Sequence, residues 1–138
     1  MQTLHAAKQA GLKLCCGGIL GLGERWEDRI DLALELRTLE VLSIPINFLN
    51  PIPGTPLQAQ PVMREEEMLR AVAIFRFLHP RAFLRLAGGR SLMRDKGKRL
   101  LQSGANALIS GDMLTTAGVN TASDLQMLKE LGRQVVRV

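Results

Sequence analysis

The chain has 138 residues, of which 46% are hydrophobic and 22% are charged, and a formal net charge of +5. These values are typical of a folded globular domain and exclude a disordered chain. No apolar run approaches the roughly 20 residues needed to cross a bilayer, and the N-terminus lacks a signal-peptide pattern. We therefore expect a cytoplasmic protein that has no membrane partner.

Nucleic-acid binding is a second class that the composition disfavours. Basic side chains crowd between residues 90 and 99, namely Arg90, Arg94, Lys96, Lys98 and Arg99. Aromatic residues make up only 4% of the chain and tyrosine is absent, which leaves little for stacking on bases. We interpret the basic cluster as the solvated face of a helix and expect no nucleic-acid partner.

The predicted elements alternate between strands and helices. After a helix-like start over residues 1–10, strands are predicted over residues 12–18, 43–49, 82–86 and 107–110. Helices are predicted over residues 24–39, 64–78, 94–103 and 121–131. Glycines at positions 17, 18, 21 and 23 are expected to end the first strand, and the prolines of NPIPGTP to form a stiff loop after the second.

Helical spacing also predicts which side chains face the core. The first long helix is expected to bury the stripe Trp26, Ile30, Ala33 and Leu34, and the second the stripe Met68, Val72 and Phe75. The last helix is expected to begin with a capping-box-like pair, Thr121 and Asp124, and to end before Gly132.

Four strand–helix units without a hairpin signal predict parallel strands joined by right-handed crossovers. The fold class is therefore α/β, and the expected architecture is half of a (βα)₈ barrel of the TIM type. An open four-stranded doubly wound sheet is the alternative, and Pro45 within the second strand is unusual for either. We find no linker, so residues 1–138 are expected to form one partial domain.

The glycine-rich stretch KLCCGGILGLGE follows the first predicted strand. Its spacing matches neither a dinucleotide fingerprint nor a P-loop, so it is either a tight strand-to-helix connection or a loop that a ligand approaches closely. The two cysteines alternate along the strand, which places Cys15 and Cys16 on opposite faces. Cys16 is expected to pack as a small hydrophobic side chain.

The same alternation places one polar group near the end of each of the first three strands, namely Cys15, Asn47 and Arg85. In a parallel barrel, active sites lie at these ends. Arg85 should face an anionic partner, because a guanidinium is rarely buried alone. Asn47 could equally bond a loop backbone, and the hydroxyls of Thr115 and Thr116 could hold a carboxylate or cap a turn.

Four blocks of the sequence, in their order and spacing, resemble the C-terminal half of the biotin synthase family of radical S-adenosylmethionine (SAM) enzymes. They are CCGGILGLGE, IPINFLNPIPGTPL, FLRLAGGR and SGANALISGDMLTT. The likeness covers about residues 4–132. Within it, about residues 45–135 look like the domain associated with biotin and thiamin synthesis.

The resemblance implies an enzyme that converts dethiobiotin to biotin. The family cleaves SAM at a [4Fe-4S] cluster to give a 5′-deoxyadenosyl radical and takes the inserted sulfur from a [2Fe-2S] cluster. It implies that Cys15 and Arg85 are ligands of the [2Fe-2S] cluster, and that Gly18, Ile19 and Gly21 lie against SAM. The full-length enzyme is expected to be a homodimer.

The family pattern also assigns the substrate contacts by residue. Asn47 is implied to contact the ureido group of dethiobiotin, and Thr115 and Thr116 its carboxylate. Two positions depart from the pattern, since Cys16 and Ala87 stand where serine is common. No residue of this chain is expected to act as a catalytic acid or base.

The chain cannot contain the family's CxxxCxxC signature, because its only cysteines are Cys15 and Cys16. The [4Fe-4S] site is therefore expected only in a full-length enzyme, and the [2Fe-2S] ligand set here is partial. We expect a truncated biotin synthase, with Met1 not the natural start, that is inactive alone. The alternatives are a non-catalytic half-barrel that self-associates or pairs with a separate N-terminal half, and another radical SAM enzyme that shares this C-terminal domain.

Overall fold

The computed structural model describes residues 2–112 and 118–136. It contains five α-helices and four strands in these ranges. The helices are α1 (Gln2–Gln9), α2 (Trp26–Thr38), α3 (Glu65–Leu78), α4 (Lys98–Gln102) and α5 (Thr121–Glu130). The strands are β1 (Gly18–Leu20), β2 (Ser43–Phe48), β3 (Phe83–Leu86) and β4 (Ala107–Leu108). Within these described ranges, no helix is long and apolar enough to cross a membrane.

The four strands form one sheet in the order β1-β2-β3-β4, and every neighbouring pair is parallel. A helix follows each strand, as expected when parallel strands are joined by crossovers. The predicted α/β class with four parallel βα units is confirmed. Sequential strand order with helices on one side is the arrangement expected of half a (βα)₈ barrel.

The core lies between the sheet and the helices. Alternate side chains of β2 and β3 point into it, and Ile44, Ile46 and Leu84 are each at most 1% exposed. The predicted stripe of α3 is confirmed, because Met68, Val72 and Phe75 are all buried. Burial of aliphatic side chains at period two on the strands and 3.6 on the helices supplies the main driving force for this packing.

The predicted stripe of α2 is partly wrong. Ala33 is buried, but Ile30 and Leu34 are 37% and 43% exposed, and Arg29 and Leu36 are buried in their place. The buried stripe of α2 therefore runs through Arg29, Ala33 and Leu36, at spacings of four and three residues. Arg29 can lie on it because its guanidinium is paired with Glu24, whose carboxylate is 2.6 Å from its Nε.

The first strand lies later than predicted. The expected strand at residues 12–18 is reduced to one bridge between Cys15 and Ser43, and the regular pairing of β1 begins at Gly18. The glycine pair therefore does not end the strand. Gly17 lies so close to β2 that a β-carbon would stand 1.9 Å from the carbonyl oxygen of Pro45, so glycine permits the strands to approach rather than stopping them.

The elements predicted between residues 94 and 131 also differ from those in the structure. The expected helix over 94–103 is shortened to α4, because Asp95 accepts from the N–H groups of Gly97 and Arg99 in a turn with Gly97 at a φ of 96°. The expected strand over 107–110 ends at Leu108, and Gly111 instead forms an antiparallel bridge with Val119. The start of α5 is capped by the Asn120 side chain rather than by Thr121.

Arg90 is not on a solvated face. It is 2% exposed, and its guanidinium donates to the Asp124 carboxylate at 2.5 Å and to the carbonyl groups of Lys96 and Ile109. Asp124, which we expected in a capping box, is equally buried. The pair joins the loop after β3 to α5.

Candidate functional site

The side of the sheet that faces away from the helices carries the predicted site residues. Register places the following side chains on it, and we call this set the open face: Cys15, Ile19, Ser43, Pro45, Asn47, Phe83, Arg85 and Ala107. All of them are half-buried or exposed. The alternation of polar and aliphatic residues predicted from the sequence is therefore confirmed for β2 and β3.

Cys15 and Arg85 meet at a single hydroxyl group. Ser43 Oγ donates to Cys15 Sγ at 3.1 Å and accepts from Arg85 Nε at 2.9 Å. A hydroxyl can do both, since it has one proton and two lone pairs. The thiol and the guanidinium, which are 70 positions apart in the sequence, therefore lie on either side of one small side chain.

Ser43 is a member of this candidate site that the sequence analysis did not find. It is the first residue of β2 and pairs with both Cys15 and Phe83 across the sheet. The only signal was its position, since an alternation that places Asn47 on the open face also places Ser43 there. Serine at a strand start is so common that this position carried no weight by itself.

Within the described ranges, Arg85 does not meet the anionic partner that we expected. Among the ion pairs of the described residues none includes Arg85, and its guanidinium carbon lies 5.9 Å from the centre of the Phe83 ring. Nε is engaged with Ser43, so the two terminal nitrogens are the part of the side chain that can serve a further anion or metal-bound sulfide.

Asn47 has a bonded, oriented side chain. Its Nδ2 donates to the carbonyl group of Gly18 at 3.2 Å, and its Oδ1 accepts from the N–H of Gly88 at 2.9 Å. This links the end of β2 to β1 and to the loop after β3. An amide offers two N–H donors and two lone pairs, so one donor and one lone pair are not used by these two contacts.

The predicted residues lie at different heights along the strands. Cys15 is level with Ser43, Arg85 is level with Pro45, and Asn47 follows two residues later on β2. At about 3.3 Å per residue, Asn47 is about 13 Å farther along the sheet than the Cys15 level. The structure thus brings Cys15 and Arg85 together, while Asn47 lies nearer the carboxyl ends of the strands.

Asn47 has a neighbour at its own height in Ile19, which is paired with it in β1 and is 49% exposed. Gly18 precedes Ile19, and Gly21 follows β1 directly with a φ of 92°. The three residues expected to face SAM therefore lie at the carboxyl end of β1, beside Asn47. Thr115 and Thr116 lie outside the described residues.

The loop after β1 is organised by Glu24. Its carboxylate accepts from the N–H groups of Gly21 and Leu22 and from Arg29 Nε, at 2.8, 2.7 and 2.6 Å. Burial alone would raise the pKa of Glu24, but the bonds from Gly21 and Arg29 outweigh it and hold this pKa below its usual range. Sequence analysis placed Glu24 in the first turn of a helix and did not find this role.

The side chains available as metal ligands show how much of an iron–sulfur cluster this chain could hold. Within the residues that the structure describes, no group of three His, Cys, Asp or Glu side chains could hold a metal ion. The open face supplies one thiol and one guanidinium side by side, which fits two ligands of a cluster and no more. Any complete iron–sulfur site needs donors from outside these residues.

Known proteins resemble this chain over most of its length. The family model of the Biotin and Thiamin Synthesis associated domain matches residues 45–134. The chain is 56% identical over 135 residues to a biotin synthase of Brachyspira hyodysenteriae, covering 98% of this chain and 40% of that protein. It is 58% identical to biotin synthase 2 of Corynebacterium diphtheriae, covering 96% of this chain and 40% of that protein.

A biotin synthase of Akkermansia muciniphila gives the same result, with 54% identity over 98% of this chain and 42% of that protein. The chain thus spans about two fifths of the length of the curated relatives that it matches. The parallel four-stranded sheet, with helices on one side and the open face on the other, places the chain in the α/β class with the strand order of a half-barrel. It belongs to the Biotin and Thiamin Synthesis associated domain family, and the expected resemblance to biotin synthases is confirmed.

Proposed function

We propose that this chain forms one wall of the active site of a biotin synthase, an enzyme that converts dethiobiotin to biotin. The observation that carries the proposal is the contact of Cys15 and Arg85 through Ser43 on the open face. Identity above 50% to proteins named biotin synthase supports the same reaction.

In this proposal, the thiolate of Cys15 and the guanidinium of Arg85 are two ligands of a [2Fe-2S] cluster. When bound, the cluster supplies the sulfur atom for insertion, and SAM cleaved at a [4Fe-4S] cluster supplies the radical. Ser43 holds the two ligand side chains at a set separation before the cluster arrives. The remaining ligands would come from the part of the enzyme that lies outside this chain.

Asn47 would orient the substrate. Its contacts with Gly18 and Gly88 hold the amide in place, and its remaining N–H donor and lone pair match the C=O and N–H groups of a ureido ring. Thr115 and Thr116 would bind the substrate carboxylate. Because Asn47 is level with Ile19 and about 13 Å farther along the sheet than the Cys15 level, the ureido group would lie beside SAM, with the sulfur source farther back along the strands.

Co-expression with the N-terminal part of the Brachyspira hyodysenteriae biotin synthase tests the proposal. After anaerobic reconstitution, the pair should show [2Fe-2S] absorbance and form biotin from dethiobiotin. Cys15→Ser should abolish that absorbance. Cys16→Ser is the matched control and should keep it, because Cys16 packs against the core. Equal absorbance in the two variants would contradict the assignment.

A second candidate function is supported by the edge of β4. A cleft of about 340 Å³ there is lined by open-face residues, including Arg85 and Ala107, and by Leu101 and Leu128 from the helix layer. A cleft that reaches both faces can accept another strand, so a half-barrel that self-associates or pairs with a separate half is also chemically reasonable. Light scattering of the purified chain tests this, and a stable monomer would count against it.

A further inference from the structure

The loop between β1 and α2 encloses one of its own carboxylates. Gly21 and Gly23 have φ angles of 92° and 105°, and the N–H groups of Gly21 and Leu22 point to one place. Successive N–H groups turned inward in this way form a concavity that binds anions. In this chain the anion is the side chain of Glu24, with N···O distances of 2.7 to 3.1 Å.

Arg29 completes the surroundings of this carboxylate. Its Nε lies 2.6 Å from Glu24 Oε1, and its guanidinium carbon lies 4.6 Å from the centre of the Trp26 ring. The Arg29 side chain is 9% exposed, and its Nη1 is buried and has no hydrogen-bond partner among the described residues. The guanidinium therefore has donor capacity that its contact with Glu24 does not use.

A cleft of about 320 Å³ leads to this position from solvent. It is lined by Gly21, Gly23, Glu24 and Arg29, and by Gln60, Arg64 and Glu67 from the segment that leads into α3. The cleft therefore gives an anion access, but each of its two arginines is already paired with a carboxylate, Arg29 with Glu24 and Arg64 with Glu67. What opposes entry is Glu24, because its carboxylate occupies the N–H groups and neutralises Arg29.

We propose that Glu24 is a built-in anion that makes this loop reject phosphate groups, so that the site admits an adenosyl ligand without phosphates and excludes nucleotides. The identity of the adenosyl ligand rests on the proposed function, in which this loop faces SAM. The rejection of phosphate rests only on the contacts of Glu24 and Arg29. A phosphate that approached the loop would meet a carboxylate where a nucleotide-binding loop presents free N–H groups.

Titration of the chain with inorganic phosphate tests the inference, with the amide NMR signals of Gly21 and Leu22 as the readout. Glu24→Ala should bind phosphate at least about tenfold more tightly than the wild type, since it frees two N–H donors and one buried guanidinium. Glu27→Ala is the matched control, because it removes the same charge from an exposed position two residues before Arg29. It should bind no better than the wild type.

The wild-type chain provides a measurement that does not depend on the folding of a variant. Its Gly21 and Leu22 signals should not respond to phosphate or tripolyphosphate beyond their response to chloride at equal ionic strength. A specific response in the wild type, or an equal gain in Glu24→Ala and Glu27→Ala, would overturn the inference. Neither titration contains SAM or a cluster, so its result is independent of the reconstitution test of the proposed function.

Discussion

On the helix-facing side of the sheet, Ile44, Ile46 and Leu84 are closed off from water, whereas the adjacent residues Ser43, Asn47 and Arg85 on the open face stay partly exposed. Alternate residues of the same strands therefore serve different purposes. Aliphatic contacts on one side stabilise the sheet, and hydrogen bonds on the other side orient polar groups. A substitution should therefore have very different effects depending on which side it alters.

The largest expected effect is on the helix-facing side. Leu84→Ala should lower the free energy of unfolding by about 2–5 kcal/mol, because it removes buried methyl groups and leaves a cavity. The measurement is urea unfolding followed by circular dichroism. Arg85→Ala, one residue later, is the matched control and should cost less than about 1.5 kcal/mol, the net value of one ordinary hydrogen bond. Equal costs would show that the two faces do not differ as described.

Gly17→Ala tests how closely β1 approaches β2. A β-carbon would stand 1.9 Å from the carbonyl oxygen of Pro45, so the strands must separate, at a cost of about 1–3 kcal/mol. The bridge between Cys15 and Ser43 should be lost with it. The Cys16 N–H, which donates to the Ser43 carbonyl oxygen at 3.0 Å, should then exchange faster with deuterium, and an unchanged rate would contradict the close approach.

Asn47→Ala tests whether a polar residue of the open face also stabilises the sheet. It leaves the Gly88 N–H and the Gly18 carbonyl without their side-chain partner, and we expect a loss of about 1–3 kcal/mol by urea unfolding. Asn50→Ala, at an exposed position beyond the strand, is the control and should be nearly neutral. If both variants are neutral, the contacts of Asn47 with Gly18 and Gly88 do not stabilise the sheet.

The smallest expected effect is a dependence of stability on pH that arises on the helix side. Burial lowers the pKa of His79, and its Nε2 lies 2.8 Å from the Ala33 carbonyl oxygen. Below the ordinary value of 6.5 the unfolded chain binds a proton that the folded chain resists, so stability is full above pH 6.5 and falls as the pH drops below it.

Thermal unfolding from pH 7.5 to 5.5 measures this dependence. His79→Gln, which can still donate to the carbonyl group but does not titrate, should remove the fall in that range. If the stability of the variant falls equally at low pH, a group other than His79 is responsible.

Periodic side chains were predictable from the sequence, and single contacts were not. The runs around Ile44 and Leu84 predicted both the strands and their buried faces, because the alternation extends over several residues. Glycine was misread at Gly17, since the same residue type ends a strand or lets two strands approach, and only the position of Pro45 decides between them.

The missed residues are those whose partner is distant in the sequence. Arg90 was interpreted as part of a basic surface, yet it is buried by Asp124, which is 34 positions away. Ser43 carries no local signal, and it joins Cys15 and Arg85 from 28 and 42 positions away. Charge and spacing along the chain do not report such pairs, whereas the family resemblance indicated Cys15 and Arg85 from motif alone.

The order of the sheet has a consequence for how the protein is made. Each strand after β1 pairs with the strand that precedes it in the chain, so pairing can follow the order of synthesis. As the polypeptide leaves the ribosome, β2 can therefore dock on a finished β1, and β3 on a finished β2. Vectorial assembly of this kind keeps an unpaired edge exposed only for the time needed to translate one unit.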